Sequence, residues 1–302
     1  MGFKIMDARN FLRFQLKQSS QINFGVKDDA FIEKITAAWM NDRQESKFRF
    51  ESILKHAQCE NQTSLKILDM ASGCGSFVFY ALLNGYQAYG VEPEGWKLEF
   101  IRKKSKEYDY PNSWLNHFIR GCGEQLPFRD QCFDIISSYQ TLEHVDNIHS
   151  CLEEMDRCLK NGGVLHLQFP DYGNSFFEGH YRIPVWPSMN RNLFRLYLKL
   201  LGKPNLGLET INDIRPKVIK DFFHGKNYII TDLNHAHVKE RIRKKLNIHN
   251  SRFLSVLAQI YLASRMAQNF LIRENSSNLL LFKSASPSHL SIPSAEIAIE
   301  NS

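Results

Sequence analysis

Residues 65–75, reading LKILDMASGCG, constrain the fold of this chain more than any other stretch. An apolar run with branched side chains ends in an acid, Asp69, and passes at once into a loop of small residues holding Gly73 and Gly75. That pattern predicts a buried strand delivering the chain to a tight turn that opens a helix. Glycines in such a turn let the backbone approach a ligand closely, and the unsatisfied N–H groups of the helix start face it. The segment reads as a nucleotide-type pocket at the end of a strand, and a glycine loop alone does not say which nucleotide.

The segments beyond the loop set the fold class. A helix is predicted from Ser76 to Asn84, then a strand, YQAYGVEP, ending at Glu92, and a second helix over GWKLEFIRKKSKEY. WLNHFIRG predicts a third strand and CFDIISSY a fourth. A helix over residues 147–160 would place Ile148, Leu152, Met155 and Leu159 on one face, stopped by Asn161-Gly162-Gly163 before a fifth strand, VLHLQF. Strands spaced by helices argue for a parallel, doubly wound α/β sheet with right-handed crossovers. The first 60 residues read as helices, with Phe31, Ile35 and Trp39 on one face and a second stretch over 47–56. Past Pro170 the rhythm breaks. Residues 171–188 form a loop rich in aromatic side chains, a helix over 191–201 places Leu193, Leu196, Tyr197, Leu200 and Leu201 on one side, and short strands are expected near 227–231 and 278–285. The expected organisation is a helical N-terminal extension (1–60), a main domain (61–285) with a substrate or lid insertion at about 171–275, and a disordered tail (286–302).

Composition narrows the classes. With 302 residues and 43% hydrophobic content, the chain buries a full core without staples. Cysteines 59, 74, 122, 132, 151 and 158 show neither C-x-x-C pairs nor zinc-type grouping with histidine, so no disulfide framework and no metal site is suggested. Reduced thiols in a cytoplasmic protein are expected, and the N-terminal residues suggest neither an export signal nor a lipid anchor. The apolar run at 253–263 is too short to span a bilayer and is flanked by Arg252 and Arg265. The net charge of +6 and the basic run at 237–246 invite a nucleic-acid reading, but that run lacks interleaved aromatics and reads as a solvated helix face.

Several elements recur in a fixed order: Asp69, the loop with Gly73 and Gly75, Glu92, then GCGEQLPFRDQCFDIISSYQTLEHV and LKNGGVLHLQFP. Over about residues 60–170 this resembles the class I S-adenosylmethionine-dependent methyltransferases, in the branch that carries ELPF, LEHV and KxGG elements. The resemblance implies a Rossmann-like, mostly parallel seven-stranded sheet, with S-adenosyl-L-methionine as cofactor. It also implies roles. Glu92, with Pro93 beside it, would accept the ribose hydroxyls in a bidentate way. Ala71, Ser72, Gly73 and Gly75 would lie against the cofactor's amino-acid moiety, with Asp69 helping to place it. Cys122, Gly123 and Glu124 would flank adenine, and Tyr139 and Gln140 the methionine arm. Two positions depart from the family: Ala71 stands where the first loop glycine usually lies, and Cys122 where an Asp often accepts from the adenine amino group, a task that Glu124 or backbone would take over. The dinucleotide alternative is disfavoured, because its third glycine is Val78 here and Asp69 has no role in that fingerprint.

Methyl transfer from a sulfonium needs orientation, exclusion of water and, for an oxygen acceptor, a base. The candidates after strands four and five are His144, Asp171, Glu178, His180 and Tyr181. His180 leads, because it sits in the aromatic loop that would cap the pocket with Phe176, Phe177, Tyr181 and Trp186; His144 belongs to the shared LEHV element and reads as a generic or structural group. The expected acceptor is an oxygen or nitrogen of a small molecule or glycan, open to a phosphorylated or lipid-linked form at a membrane surface. A non-catalytic cofactor-binding protein and an RNA methyltransferase are the alternatives, the latter disfavoured by SYQTLEH where amino-methylating DNA enzymes carry a Pro-Pro-Tyr element.

Overall fold

The computed structural model describes residues 6–60, 62–173, 176–234, 256, 260 and 276–284, and the KILDM strand is β1, Lys66–Met70. It pairs in parallel with β2 (Gln87–Glu92) on one side and with β4 (Phe133–Tyr139) on the other. β3 (Phe118–Arg120) adds to β2, and β5 (Leu159–Pro170) adds to β4, both in parallel. Beyond β5 lies β9 (Ser276–Lys283), antiparallel to it, and then β8 (Tyr228–Asp232), antiparallel to β9. The order β3-β2-β1-β4-β5-β9-β8 is the mostly parallel, seven-stranded, doubly wound sheet expected.

Alternation along β1 explains why both faces of this sheet are dry. Leu68 and Met70 join a core with Ile136, Leu165 and Leu167 under α6 (Ile148–Cys158) and α9 (Pro216–Phe223). Ile67 points the other way, with Ile135 and Val164, under α4 (Ser76–Leu83) and α3 (Asp42–His56). Each fully buried Leu or Ile contributes about 1.5–3 kcal/mol through area removed from water. Because the chain winds outward from β1 to β2 and β3 and then crosses to β4, a crevice opens at the carboxyl ends of β1 and β4, where Asp69, Met70 and Tyr139 end their strands.

Three helices precede the sheet: α1 (Ala8–Phe24), α2 (Asp29–Met40) and α3. Asp28 caps α2 by accepting from the Phe31 N–H at 2.9 Å, and Gly25 ends α1 with a left-handed φ of 63°. Ala8, Leu12, Leu16, Ile32 and Met40 pack with Phe100 of α5 (Gly95–Glu107) and with Cys74 of the glycine loop. The fully buried line of α2 is Ile32, Thr36 and Met40; Phe31, Ile35 and Trp39 are only half-buried beside it. The junction is fixed electrostatically by Lys104 of α5, which is fully buried, ion-paired with Asp42 at the start of α3, and donates to the Trp39 carbonyl at 2.6 Å.

Four local expectations are corrected. WLNHFIRG is a 3-10 turn, Asn112–His117, followed by the short β3, because Tyr110, Trp114 and Phe118 fold onto Phe79 in an aromatic cluster that an extended strand would pull apart. The NGG triplet lies inside β5 instead of between helix and strand; pairing jumps from Phe133 with Leu159 to Ile135 with Val164, so residues 160–163 bulge out of the ladder. On α7 (Arg191–Leu200) the buried residues are Phe194 and Leu198, while Leu193, Leu196 and Leu200, and Leu201 just beyond, are exposed. Finally, residues 177–184 are not plain loop: β6 (Phe177–Glu178) and β7 (Ile183–Pro184) pair antiparallel as a hairpin. The basic run at 237–246, most of the apolar run at 253–263 and the tail lie outside the described residues. No helix among the described residues is long and apolar enough to cross a membrane.

Replacing Lys104 by Met removes one partner of a buried pair and leaves the Asp42 carboxylate uncompensated. The expected cost is about 3–5 kcal/mol, measured by urea unfolding.

Candidate active site

The loop after β1 is held by the strand beside it. Ser72 donates its N–H to the Val91 carbonyl at 2.8 Å, and Gly73 donates its N–H to Glu92 Oε2 at 2.9 Å. Glu92 Oε1 accepts from the Glu94 N–H at 3.0 Å and lies 3.4 Å from Lys97 Nζ. The Glu92 carboxylate, 1% exposed, is thus fixed at the end of β2 beside Pro93. Burial raises its pKa, against the pull of Lys97 and the two N–H groups. Lys97 also pairs with Glu94.

Gly75 is required sterically: its φ is 78°, and a Cβ there would stand 2.8 Å from the Phe118 ring. Gly73, φ 57°, is different, since a Cβ there would meet nothing within 4 Å. The backbone at Gly73 therefore faces open space, the surface a ligand would use. Ala71 holds a left-handed φ of 56°, a conformation that favours glycine, and does not relax to the negative φ an alanine prefers.

Asp69, 3% exposed, is answered by a residue that carries no signal in the sequence, Arg49 of α3, whose guanidinium pairs with its carboxylate. Burial pushes the Asp69 carboxyl up to about 6, with Arg49 pulling it back. The guanidinium carbon sits 3.9 Å from the Phe77 ring centroid and 5.1 Å from that of Tyr139. From there a polar chain runs through the sheet. Arg49 Nε donates to Ser137 Oγ at 3.2 Å, Ser137 Oγ lies 2.8 Å from His166 Nδ1, and His166 Nε2 lies 2.9 Å from Asn278 Oδ1. With Nε2 donating to the amide oxygen, Nδ1 accepts from Ser137. Nothing in a pattern of apolar periodicity marks Arg49; only its packing against the end of β1 does.

On the third side, Gly121, Cys122 and Gly123 follow β3, with Cys122 exposed. Glu124 Oε1 accepts from the backbone N–H groups of Asp146, at 2.8 Å, and Asn147, at 3.3 Å, so this carboxylate shapes the entry to α6. Tyr139 and Gln140 are exposed at the end of β4.

The acceptor-side candidates separate clearly. His180 and His144, 36 residues apart, meet with their Nε2 atoms at 3.1 Å. Glu178 is buried: Oε1 is 2.7 Å from His180 Nδ1 and Oε2 accepts from the Tyr181 N–H at 2.5 Å. Burial alone would lower the His180 pKa, but the hydrogen bond and charge of Glu178 raise it. Burial, and then the charge of His180, bring His144 down to about 4. Glu143, which lies in the LEHV element but has no role assigned by it, is fully buried and pushed up to about 7 by burial. Tyr181 is a core residue, 0% exposed, its oxygen accepting from the Leu208 N–H at 2.7 Å, which removes it as a base. Trp186 is 69% exposed and caps nothing. Instead, Phe24 at the end of α1 stacks on His180 at 5.2 Å, and Arg182 pairs with Asp28, so the N-terminal helices close this side.

Residues 68–167 match the family model described as a methyltransferase domain. The chain is 31% identical over 143 residues to a demethylmenaquinone methyltransferase of Chlorobaculum parvum, covering 47% of this chain and 51% of that one. It is 27% identical over 101 residues to a sarcosine/dimethylglycine N-methyltransferase of Aphanothece halophytica, covering 32% and 35%. The chain thus spans about half the length of the first curated relatives it matches. Among solved structures, it is similar in fold to phosphoethanolamine N-methyltransferase 2 of Haemonchus contortus, solved with phosphomonomethylethanolamine and S-adenosylhomocysteine, at TM-score 0.52, 13% identity and coverage of 94% and 61%.

Because Ala71 holds a glycine conformation, Ala71→Gly should relieve about 1–2 kcal/mol of backbone strain and lose about 0.4–1 kcal/mol to the freer unfolded chain. Chemical denaturation is expected to show a variant as stable as the parent or up to about 1.6 kcal/mol more so; a clear loss would contradict the strained-loop reading.

Proposed function

We infer that this chain, whose residues 68–167 match the methyltransferase domain model, transfers a methyl group from S-adenosyl-L-methionine to an oxygen or nitrogen of a small-molecule or glycan-type acceptor. The observation that carries the reading is the pairing of a buried, pre-set Glu92 carboxylate with the open backbone at Gly73, both at the carboxyl edge of the sheet beside its switch point. A carboxylate fixed there suits two vicinal hydroxyls, and its desolvation strengthens those hydrogen bonds.

The bound cofactor supplies an electrophilic methyl on a sulfonium; the chain supplies position and dryness. Glu92 would hold the ribose, residues 71–75 would lie along the amino-acid moiety, and Asp69 would attract its ammonium group while Arg49 keeps that buried carboxylate ionised. Cys122 and Gly123 would flank the adenine with backbone groups, since Glu124 is engaged with residues 146 and 147. Tyr139 and Gln140 would border the methionine arm. His180 and His144 carry the acceptor side, where Phe24 and the β6–β7 hairpin exclude water. The relatives named demethylmenaquinone methyltransferase and sarcosine/dimethylglycine N-methyltransferase support a small acceptor over a polymer.

Titration calorimetry of the full chain with S-adenosylmethionine and S-adenosylhomocysteine tests the reading, and absence of binding by both overturns it. Glu92→Gln should weaken binding roughly 100-fold, as loss of two hydrogen bonds to a charged group would. His180→Ala should spare that binding and abolish turnover in an acceptor screen that detects S-adenosylhomocysteine release.

Affinity should also depend on pH with a definite sign. Asp69 is ionised above about pH 6 and neutral below it. The cofactor ammonium is attracted only to the ionised form, so affinity is expected to fall as pH drops from 7.5 to 5. Asp69→Asn should flatten that profile, and an unchanged slope in the variant would exclude Asp69 as its origin.

A further inference from the structure

The contact between His144 and His180 poses a charge problem. Their Nε2 atoms lie 3.1 Å apart, while His144 Nδ1 is 3.1 Å from the Thr210 carbonyl oxygen and His180 Nδ1 is 2.7 Å from a Glu178 carboxylate oxygen. A carbonyl and a carboxylate only accept, so both Nδ1 atoms carry protons, and two neutral rings would then point Nε2 lone pairs at each other. A positive species between them resolves the repulsion. A shared proton would serve the two rings, yet it would leave Glu143 unexplained. Glu143 is fully buried, neither of its carboxylate oxygens has a hydrogen-bond partner among the described residues, and the ligand atoms of Glu143, His144 and His180 all lie within 4.8 Å of one another. A buried carboxylate without a partner is a costly arrangement unless a cation answers it.

We propose that Glu143, His144 and His180 form a binding site for one divalent first-row transition metal ion, held by a carboxylate oxygen and the two Nε2 atoms. Two nitrogens about 2.05 Å from one ion, subtending about 100° there, are about 3.1 Å apart, so the two rings already stand at the spacing of neighbouring ligands. Two imidazoles with one carboxylate favour ions of the zinc, iron(II) and manganese(II) class over calcium. The outer contacts fit as well: a carboxylate on His180 Nδ1 and a backbone carbonyl on His144 Nδ1 are the partners that orient metal-bound imidazoles. The ligands come from the loop after β4 and from the β6–β7 hairpin, which is why spacing along the sequence gave no sign of a site.

Three protein ligands would leave a coordination position open, and His144 is exposed, so the site is reachable from solvent. What the ion does there rests on the methyl-donor reading: an acceptor hydroxyl in that position would be oriented and made more acidic, which points to an oxygen acceptor. Whether the ion binds does not rest on that reading.

The test uses the full chain stripped with a chelator, titrated calorimetrically with Zn2+, Mn2+ and Co2+, with metal content counted after desalting. One ion per chain is expected. His144→Ala/His180→Ala should weaken it at least 100-fold, and Glu178→Ala about 10- to 100-fold through ring orientation alone. S-adenosylhomocysteine binding, measured on the same samples, reports folding of the variants and tests the methyl-donor reading separately. If the variants do not fold, 15N-edited spectra of the unsubstituted chain decide: two histidine Nε2 resonances must move or broaden on adding one equivalent of metal. No stoichiometric ion, undiminished affinity in the double variant, or unmoved Nε2 resonances would each overturn the site.

Discussion

A carboxylate buried at the end of a central strand has to be answered by a charge, and in this protein the answer comes from outside the sheet. Arg49 reaches from α3 to Asp69, and its remaining donor continues through Ser137 and His166 to Asn278. The chain of contacts crosses β1, β4, β5 and β9, so it ties the N-terminal helix to a strand that enters near the other end of the described chain. In a low-dielectric interior such a network is strong when complete and costly when one member is lost. It fixes the edge of the sheet on which the glycine loop is built.

The loop itself trades local comfort for shape. Ala71, Gly73 and Gly75 all hold positive φ, so the backbone turns back under β2 and brings the Gly73 N–H to Glu92. Gly75 has no alternative because of Phe118, whereas Ala71 accepts the strain, being held between Asp69 and the Ser72–Val91 hydrogen bond. Backbone geometry and carboxylate position are therefore one unit, not two independent features.

Much of this is legible in the sequence for a physical reason. β1, β2, β4 and β5 are largely buried, so apolar runs, in β1 and β2 reaching the buried acids Asp69 and Glu92, report them directly. The seven-stranded, mostly parallel sheet follows from the family that the order of motifs resembles. The turn at 112–117 is hidden because aromatic side chains there satisfy a strand pattern while packing as a cluster. The bulge at 160–163 is hidden because Gly-Gly ends helices and interrupts strands equally well. On α7 the leucines outnumber the buried positions, so counting apolar residues selects the wrong face. Arg49 leaves no local signal, since its importance lies in what it touches across the fold; Glu143 lies in the LEHV element, but its burial without a hydrogen-bond partner among the described residues shows only in the fold.

The stacking of Phe24 on His180 carries a consequence for how such a protein diversifies. On the proposed function, the donor half of the cleft would be encoded almost wholly within residues 68–167, while the acceptor half would be assembled from α1, the β6–β7 hairpin and the Thr210 turn, with Glu143 and His144 contributed by the central segment. Two halves drawn from separate stretches of one gene can drift at different rates. Selection for a new acceptor can rewrite the flanks while the methyl-donor half stays recognisable, and similarity to distant relatives then concentrates in the part of the chain that says least about what is methylated.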